Sequence, residues 1–318
     1  MQKYIVKREE SNQTLEKYIK KVLKNAPLSF VYRIFRKKDV KVNGKRESDK
    51  YVLQENDEIL LYITDDQYAE FTREKELAAK DEVSSYILYE DENIIVINKP
   101  RGMLVQGDGS RDVSLDVMVN EYLMFKGKEG NFLSAPCHRI DRNTSGLVVF
   151  AKSIEVTQLI TKLFKEHINL NKTYLTLVKG APNPKGEVDA PLIKNEKLNK
   201  VFVGKVEEGA KPSKTLYERL FTNETVSLLK VKLLTGRSHQ IRVHMAYIGH
   251  PVAGDSKYGD FAFNKEFEKE YGFKNQFLHA SELSFKTLEG SLKYLSDKTF
   301  IAPLPEDEEK ILESIKGE

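Results

Sequence analysis

The chain has a single cysteine, Cys137, in 318 residues, which excludes an internal disulfide and any zinc site built on several thiolates. No apolar run approaches the roughly 20 residues that a membrane-spanning helix needs. Met1 to Glu10 mixes three Lys or Arg residues with two Glu and has no apolar core of the signal-peptide kind. A cytoplasmic protein with no membrane partner is therefore expected. There is no Gly-x-x-x-x-Gly-Lys-Ser/Thr phosphate loop and no Gly-x-Gly-x-x-Gly fingerprint. Gly107 and Gly109 flank Asp108 in a polar loop and read as turn chemistry. Nucleotide-dependent enzymes of those classes are disfavoured, and neither an internal repeat nor a low-complexity tract points to a solenoid or a disordered tail.

What is present is enough for two domains: 40% of the residues are hydrophobic. The net charge of +3 hides an asymmetry. Residues 1–63 hold 15 Lys plus Arg against 9 Asp plus Glu, whereas the remainder holds 36 against 39. An excess of +6 in a small amino-terminal unit is what an appended module meeting a polyanion would carry, although a solvated basic face gives the same count. Thr14 can cap a helix bearing Leu15, Ile19, Val22 and Leu23. Ser29 can cap a second one bearing Ile34 and Phe35, with Arg33, Arg36, Lys37 and Lys38 along it. Val40, Val42 and the turn pair Asn43-Gly44 follow, then a strand over Glu58 to Ile63. This order, with its basic second helix and its Val-x-Val-Asn-Gly hairpin, resembles the αL RNA-binding module named after a ribosomal small-subunit protein. The resemblance implies that Arg33, Arg36, Lys37 and Lys38 face phosphates.

Residues 1–64 are thus expected to form the RNA-binding domain and residues 65–83, polar and acidic, a linker. A second domain is expected over 84–304, with 305–318 as an acidic tail, helical or disordered. Tyr86 to Tyr89 and Ile94 to Asn98 suggest a hairpin. Leu147 to Ala151 reads as a buried strand, and Val156, Leu159, Ile160, Leu163 and Phe164 mark one face of a helix. Further strands are expected at Tyr174 to Val178 and Val226 to Leu234. The mixture predicts an α+β fold on a mostly antiparallel sheet.

The chemistry concentrates in His138-Arg139-Ile140-Asp141-Arg142-Asn143-Thr144-Ser145-Gly146. One carboxylate lies between two guanidiniums in a donor-rich turn that feeds a strand, so an ionised Asp141 among cations is a candidate nucleophile. An ordinary Arg-Asp-Arg surface pair is the blander account, and the flanking turn argues against it. Cys137 beside His138 does not suggest a Cys-His pair, because neighbours in an extended chain point apart. A second segment, Thr235 to His244, closes a strand and opens a helix with Arg237 and Arg242, at an end that collects anions. An amphipathic helix with exposed basic residues would read the same. His239, His244 and His250 do not make a plausible metal set at their spacing.

The first segment resembles the signature of the RluA-type pseudouridine synthases, usually His-Arg-Leu-Asp-Arg-Asp-Thr-Ser-Gly, with Ile140 and Asn143 as departures. Thr235 to His244 matches the family's Thr-Gly-Arg-x-His-Gln-Ile-Arg-Val-His. Lys99-Pro100-x-Gly102, Lys172-x-Tyr174 and the loop Gly249-His250-Pro251 with Gly254, Asp255 and Tyr258 are similar to three further elements, and Gln106 stands where an aromatic or His is frequent. The resemblance covers about residues 86–300. It implies a cofactor-free and metal-free isomerase that converts uridine to pseudouridine in structured RNA. In that chemistry Asp141 adds to the substrate or assists glycosidic cleavage by electrostatics, with proton removal from the ribose also invoked, Tyr174 stacks on the target base and shares in proton transfer, and Arg242, with Arg237 as runner-up, orients Asp141. Arg139, Arg142, Arg237, His239 and Gln240 would contact phosphate or the flipped nucleotide. The closest likeness is to the RluC-like and RluD-like group, which implies large-subunit (23S) ribosomal RNA or its precursor as partner and a monomer as the default. Transfer RNA stays open as the substrate. A non-catalytic RNA-binding or assembly protein is the rival, and a carboxylate among phosphate-binding arginines speaks against it.

Overall fold

The computed structural model describes residues 1–23, 26–72, 83–110, 112–128, 132–223 and 225–317. Contacts divide the chain into two compact units, Met1–Ala78 and Ala79–Glu318. In the first unit, strand β1 (Gln2–Ile5) precedes helices α1 (Leu15–Val22) and α2 (Leu28–Lys37), strands β2 (Val40–Val42) and β3 (Glu58–Leu61), and helix α3 (Asp65–Thr72). Thr14 caps α1 by accepting from the Lys17 amide at 3.3 Å. The second helix departs from expectation. It starts at Leu28 after Pro27, whose fixed φ suits a helix start, so Ser29 lies inside the helix instead of capping it. Asn43 and Gly44 both have positive φ, as a two-residue hairpin turn requires. The returning strand is only one bridge, Val42 to Lys45, and β2 pairs mainly with β3. β1 also pairs with β3, giving the order β1-β3-β2. The sequence reading had no strand at β1, because its alternation is only four residues long.

The unit closes its own core, with Leu15, Ile19, Val31, Ile34, Val40, Leu53, Ile59 and Leu61 all nearly inaccessible. The stretch from Asp65, read as linker, begins instead with α3, and Phe71 packs its ring 4.5 Å from that of Phe30. The rest of that expected linker, residues 73–82, lies outside the described residues. Arg33, Arg36, Lys37 and Lys38 are all exposed on or just past α2.

The second unit runs β4 (Ile87–Glu90), β5 (Ile94–Lys99), α4 (Leu115–Phe125), β6 (Ala135–Pro136), β7 (Ser145–Ala151), α5 (Ile154–Glu166), β8 (Leu170–Lys179), β9 (Lys185–Asp189), β10 (Leu192–Asn195) and β11 (Lys200–Val203). β12 (Lys214–Thr222), β13 (Val226–Leu233), α6 (Gln240–Tyr247), α7 (Phe261–Tyr271), β14 (Leu278–Phe285), β15 (Thr299–Ile301) and α8 (Glu306–Gly317) complete it. The main sheet has the order β4-β5-β7-β14-β8-β13-β12-β9, and its pairs are antiparallel except β7 with β14. This is the α+β architecture the strand pattern implied. α4 packs against Ile95, Ile97, Val148 and Phe150. The alternate residues Ile94, Val96, Leu147 and Val149 pack against α5, so β5 and β7 are covered on both faces. In the same way α6 covers Val178, Leu229 and Val231, and α7 and α8 cover Leu177 and Leu228.

The acidic carboxy terminus is not a free tail. Glu308, Ile311, Leu312 and Ile315 fall on one helical stripe of α8 and are buried. Counting its carboxylates as solvated missed that stripe. Removing residues 305–318 is expected to destabilise this unit by about 5 kcal/mol, since three aliphatic side chains are each worth roughly 1.5–3 kcal/mol when buried. Thermal melting of the truncated chain checks this, and an unchanged midpoint would show the helix to be dispensable.

Candidate active site

Gly146 explains why the signature turn sits where it does. Its φ is +106°, and a Cβ there would lie 2.3 Å from the Ala280 carbonyl oxygen, so only glycine lets β14 run alongside β7 at this point. The turn before it is stapled on several sides. The Thr144 amide donates to the Asp141 carbonyl at 3.0 Å, and Gln276 Nε2 donates to Thr144 Oγ1 at 3.0 Å. Ser145 Oγ meets His279 Nδ1 at 2.9 Å. Lys99, wholly buried, donates to the carbonyls of Pro100 and Met103 at 2.9 Å and of Arg142 at 3.0 Å. Burial lowers its pKa to about 7. Gly102 and Arg142 add a reciprocal pair at 2.9 Å, amide to Arg142 carbonyl and Arg142 Nε to Gly102 carbonyl. The Lys-Pro-x-Gly element therefore works as a splint for the Asp141 turn. Behind that splint, Arg101 is held by Asp307 and by Glu308 Oε1 at 2.7 Å. Burial pushes the Glu308 carboxyl up to about 7 despite this pairing.

Asp141 is oriented from α6. Arg242 Nη1 donates to Asp141 Oδ2 at 2.7 Å, while its Nε and Nη2 grip Asp255 Oδ2 and Oδ1 at 2.7 and 2.9 Å. Asp255 is 1% exposed, and its Oδ1 also accepts the Lys257 and Tyr258 amides at 2.8 and 3.1 Å. The bidentate fork fixes the guanidinium plane, so the remaining nitrogen can point only at Asp141. Burial opposes the Arg242 charge, yet the two carboxylates drive its pKa upward. Among the described residues Asp141 Oδ1 makes no comparable bond; His239 Nε2 lies 3.9 Å from it. The other ring nitrogen, His239 Nδ1, is 2.7 Å from the Tyr258 hydroxyl, which accepts the Val201 amide at 2.8 Å. Among the described residues Nδ1 is the acceptor within reach of that hydroxyl's proton, and accepting it puts the imidazole proton on Nε2, facing the carboxylate. Burial lowers the His239 pKa and favours this neutral form.

These groups line a cleft of about 770 Å³ that also contains Tyr174, Arg139, Arg142, Arg237 and Lys172. Among the described residues the Tyr174 hydroxyl has no hydrogen-bond partner, and burial together with nearby Asp141 pushes its pKa up, so it stays protonated. Several sequence assignments change. Arg142 does not bracket Asp141. It turns to Asp112 at 2.7 Å and to the Gly102 carbonyl, because the carbonyl of its own turn is already tied to that loop. Arg139 is exposed at the rim without an ion pair among the described residues. Arg237 also misses Asp141 and donates from Nε to the Pro212 carbonyl at 3.2 Å. Gln240 lines the cleft but spends its amide inside the protein. It is 2% exposed and saturated, accepting from Thr235 Oγ1 and the Arg237 amide and donating to the Lys214 carbonyl and Thr215 Oγ1. Asp255 and Lys99 are the residues the motif reading left without a role, and only their burial beside Arg242 and Arg142 reveals one. Cys137 is inert, its thiol pushed by burial up to about 12. His138 stacks on Phe164 at 3.9 Å between ring centroids. Among the described residues no cluster of His, Cys, Asp and Glu could hold a metal, and no helix is long and apolar enough to cross a membrane.

A carboxylate with one oxygen clamped and the other turned toward an open cleft, beside a protonated tyrosine and several unneutralised cations, is the constellation of an enzyme that acts on a polyanion. Residues 93–247 match the family described as RNA pseudouridylate synthase. Along its whole length the chain is 35% identical to the ribosomal large subunit pseudouridine synthase C of Haemophilus ducreyi, covering 97% of that protein. It is 36% identical to the Escherichia coli protein of the same name over 87% of this chain and 86% of that one. The chain belongs to the RNA pseudouridylate synthase family and is an isomerase. Its fold is also that of human RNA pseudouridylate synthase domain containing 4, with a TM-score of 0.62 at 22% identity, over 74% of this chain and 95% of that one.

Proposed function

We propose that the protein isomerises selected uridines of large-subunit ribosomal RNA to pseudouridine, with Asp141 as the attacking group. The observation that carries this reading is the asymmetric holding of Asp141, with Oδ2 fixed by Arg242 and Oδ1 free toward the cleft. The reaction breaks the bond from uracil N1 to ribose C1′ and forms one from C5, so a proton leaves C5 and one arrives at N1. A carboxylate suits the first step, as nucleophile or as counter-charge. Tyr174 offers a face for the detached uracil and a hydroxyl for proton movement. A base within a duplex cannot reach the cleft, so the target must be unpaired or extruded, at about a few kcal/mol. The relatives' printed names support large-subunit RNA as the substrate, which would be met in the cytoplasm, and an RNA this large needs no second subunit to be held. Pseudouridine mapping in cells lacking the protein, restored with the native chain or with Asp141→Ala, tests this. Large-subunit sites should vanish and return only with the native chain; unchanged maps would refute the reading.

Arg33, Arg36, Lys37 and Lys38 supply affinity from the first unit in this proposal. Because α3 shares that unit's core, the clean deletion removes residues 1–78 instead of stopping at 63. It is expected to weaken RNA binding about 100-fold at moderate salt while leaving the single-turnover rate at saturating RNA within threefold. Loss of chemistry in a folded deletion would overturn this division of labour.

A further inference from the structure

Among the described residues the most deeply buried of the unpaired cations lining the cleft is Lys172. Lys172 lies two residues before Tyr174 on β8 and therefore on the same face of the strand, lining the cleft although only 7% exposed. Its Nζ lies 2.7 Å from His167 Nδ1. An ammonium can only donate, so Nδ1 accepts and the ring carries its proton on Nε2. Burial, with Lys172 and Arg237 nearby, holds the His167 pKa down to about 4, so the ring remains an acceptor at neutral pH. Among the described residues no carboxylate lies within ion-pair distance of Lys172, whereas Lys152 is paired to Glu90 at 2.6 Å and the wholly buried Lys99 spends its three donors on carbonyls. Arg139, Lys165 and Arg237 line the same cleft and are equally without acidic partners. Gly236 forms the opposite wall of the small space around the pair. A Cβ there would sit 3.1 Å from His167 Cε1 and 3.6 Å from Lys172 Nζ, so a side chain at 236 would crowd the group that aims the lysine.

We propose that Lys172, aimed by His167 and bounded by the backbone of Gly236, is a subsite for one phosphodiester of the RNA strand next to the target uridine. A buried ammonium with no counter-charge costs the free protein stability, and an arriving phosphate offsets that cost. Burial alone lowers the Lys172 pKa to about 8, and the anion would return it toward full charge. A point charge with rotatable donors suits a phosphate oxygen, whereas a guanidinium plane would also stack on bases. The subsite rests on the reading of the cleft as an RNA site, and it deepens that reading by assigning the strand backbone to the β8 wall.

The test uses the full chain, a uridine-containing RNA stem-loop as probe, and the variants Lys172→Met and Lys172→Arg. Lys172→Met is expected to bind about tenfold more weakly. It should flatten the dependence of log binding constant on log salt by about 0.7 to 0.9, the share of one phosphate. The same variant should melt at a higher temperature than the native protein when RNA is absent, which a merely structural lysine would not do. Lys172→Arg should keep the salt slope. An unchanged slope in Lys172→Met, or a lower melting temperature, overturns the subsite. Pseudouridine formation by the native chain is read in parallel: no product with a flattened slope sinks the isomerase assignment and leaves the phosphate contact, while product with an unchanged slope does the reverse.

Discussion

Asp141→Asn is expected to fold as the native chain does, to bind RNA at least as tightly, and to lose about 10⁴-fold or more of its single-turnover rate. The substitution keeps the size of a side chain that is 26% exposed, and the amide oxygen can still accept from Arg242 Nη1. Arg242 retains its fork onto Asp255, so no buried guanidinium is orphaned and stability should move by less than about 1 kcal/mol. What disappears is the negative oxygen that faces the cleft. RNA affinity should not suffer, because a carboxylate among cations repels phosphates. Measuring rate, affinity and melting on one preparation separates these effects. A variant within tenfold of the native rate would mean that Asp141 is not the attacking group.

How much of this was legible beforehand depended on the reach of each signal. Local patterns found α1, β5, β7, α5, β8 and β13, whose apolar periodicity is uninterrupted. They missed β14, because His279 and Ser281 interrupt its pattern. Those side chains are buried against Ser145 and the Ala302 and Thr173 carbonyls, so the strand is central although its sequence looks mixed. They left α8 open between helix and disorder, because a dense run of acids outweighed the three apolar positions that bury it. At the site, Asp141 and Arg242 stood out because their motifs are long. The direction of each arginine did not, since Arg139, Arg142 and Arg237 are as close to Asp141 in composition as Arg242 is. What selects Arg242 is Asp255, thirteen residues further on. Gly254 lets that carboxylate turn inward with φ +74°, where a Cβ would meet the Asn275 carbonyl oxygen at 2.0 Å. Such a constraint belongs to the packed loop and leaves no periodic trace.

Asp255→Asn is accordingly expected to slow the reaction as well, by less than Asp141→Asn and by another route. Both guanidinium bonds to Asp255 need an acceptor, and an amide places a donor against either Nε or Nη2. The guanidinium would swing, and a displacement of about 1 Å at the reacting group costs on the order of 10²-fold in rate. Unlike Asp141→Asn, this variant breaks a buried pair from one side and should destabilise the unit by about 3–5 kcal/mol. The pH dependence separates the two roles. Burial tends to raise the Asp255 pKa, but the hydrogen bonds and charge of Arg242, with the Lys257 and Tyr258 amides, hold it below its ordinary value. A carboxyl depressed in the folded state lends stability above its unfolded pKa of about 3.9, and that stability is lost as pH falls through the folded value. The native protein should therefore shed stability below about pH 4, and Asp255→Asn should shed less over the same interval. In the double variant with Asp141→Asn the rate losses should not add, because an arginine that orients nothing has no further effect on rate, while the cost in stability should remain in full. If the rate losses multiplied instead, Arg242 would be acting on the substrate directly and not through Asp141.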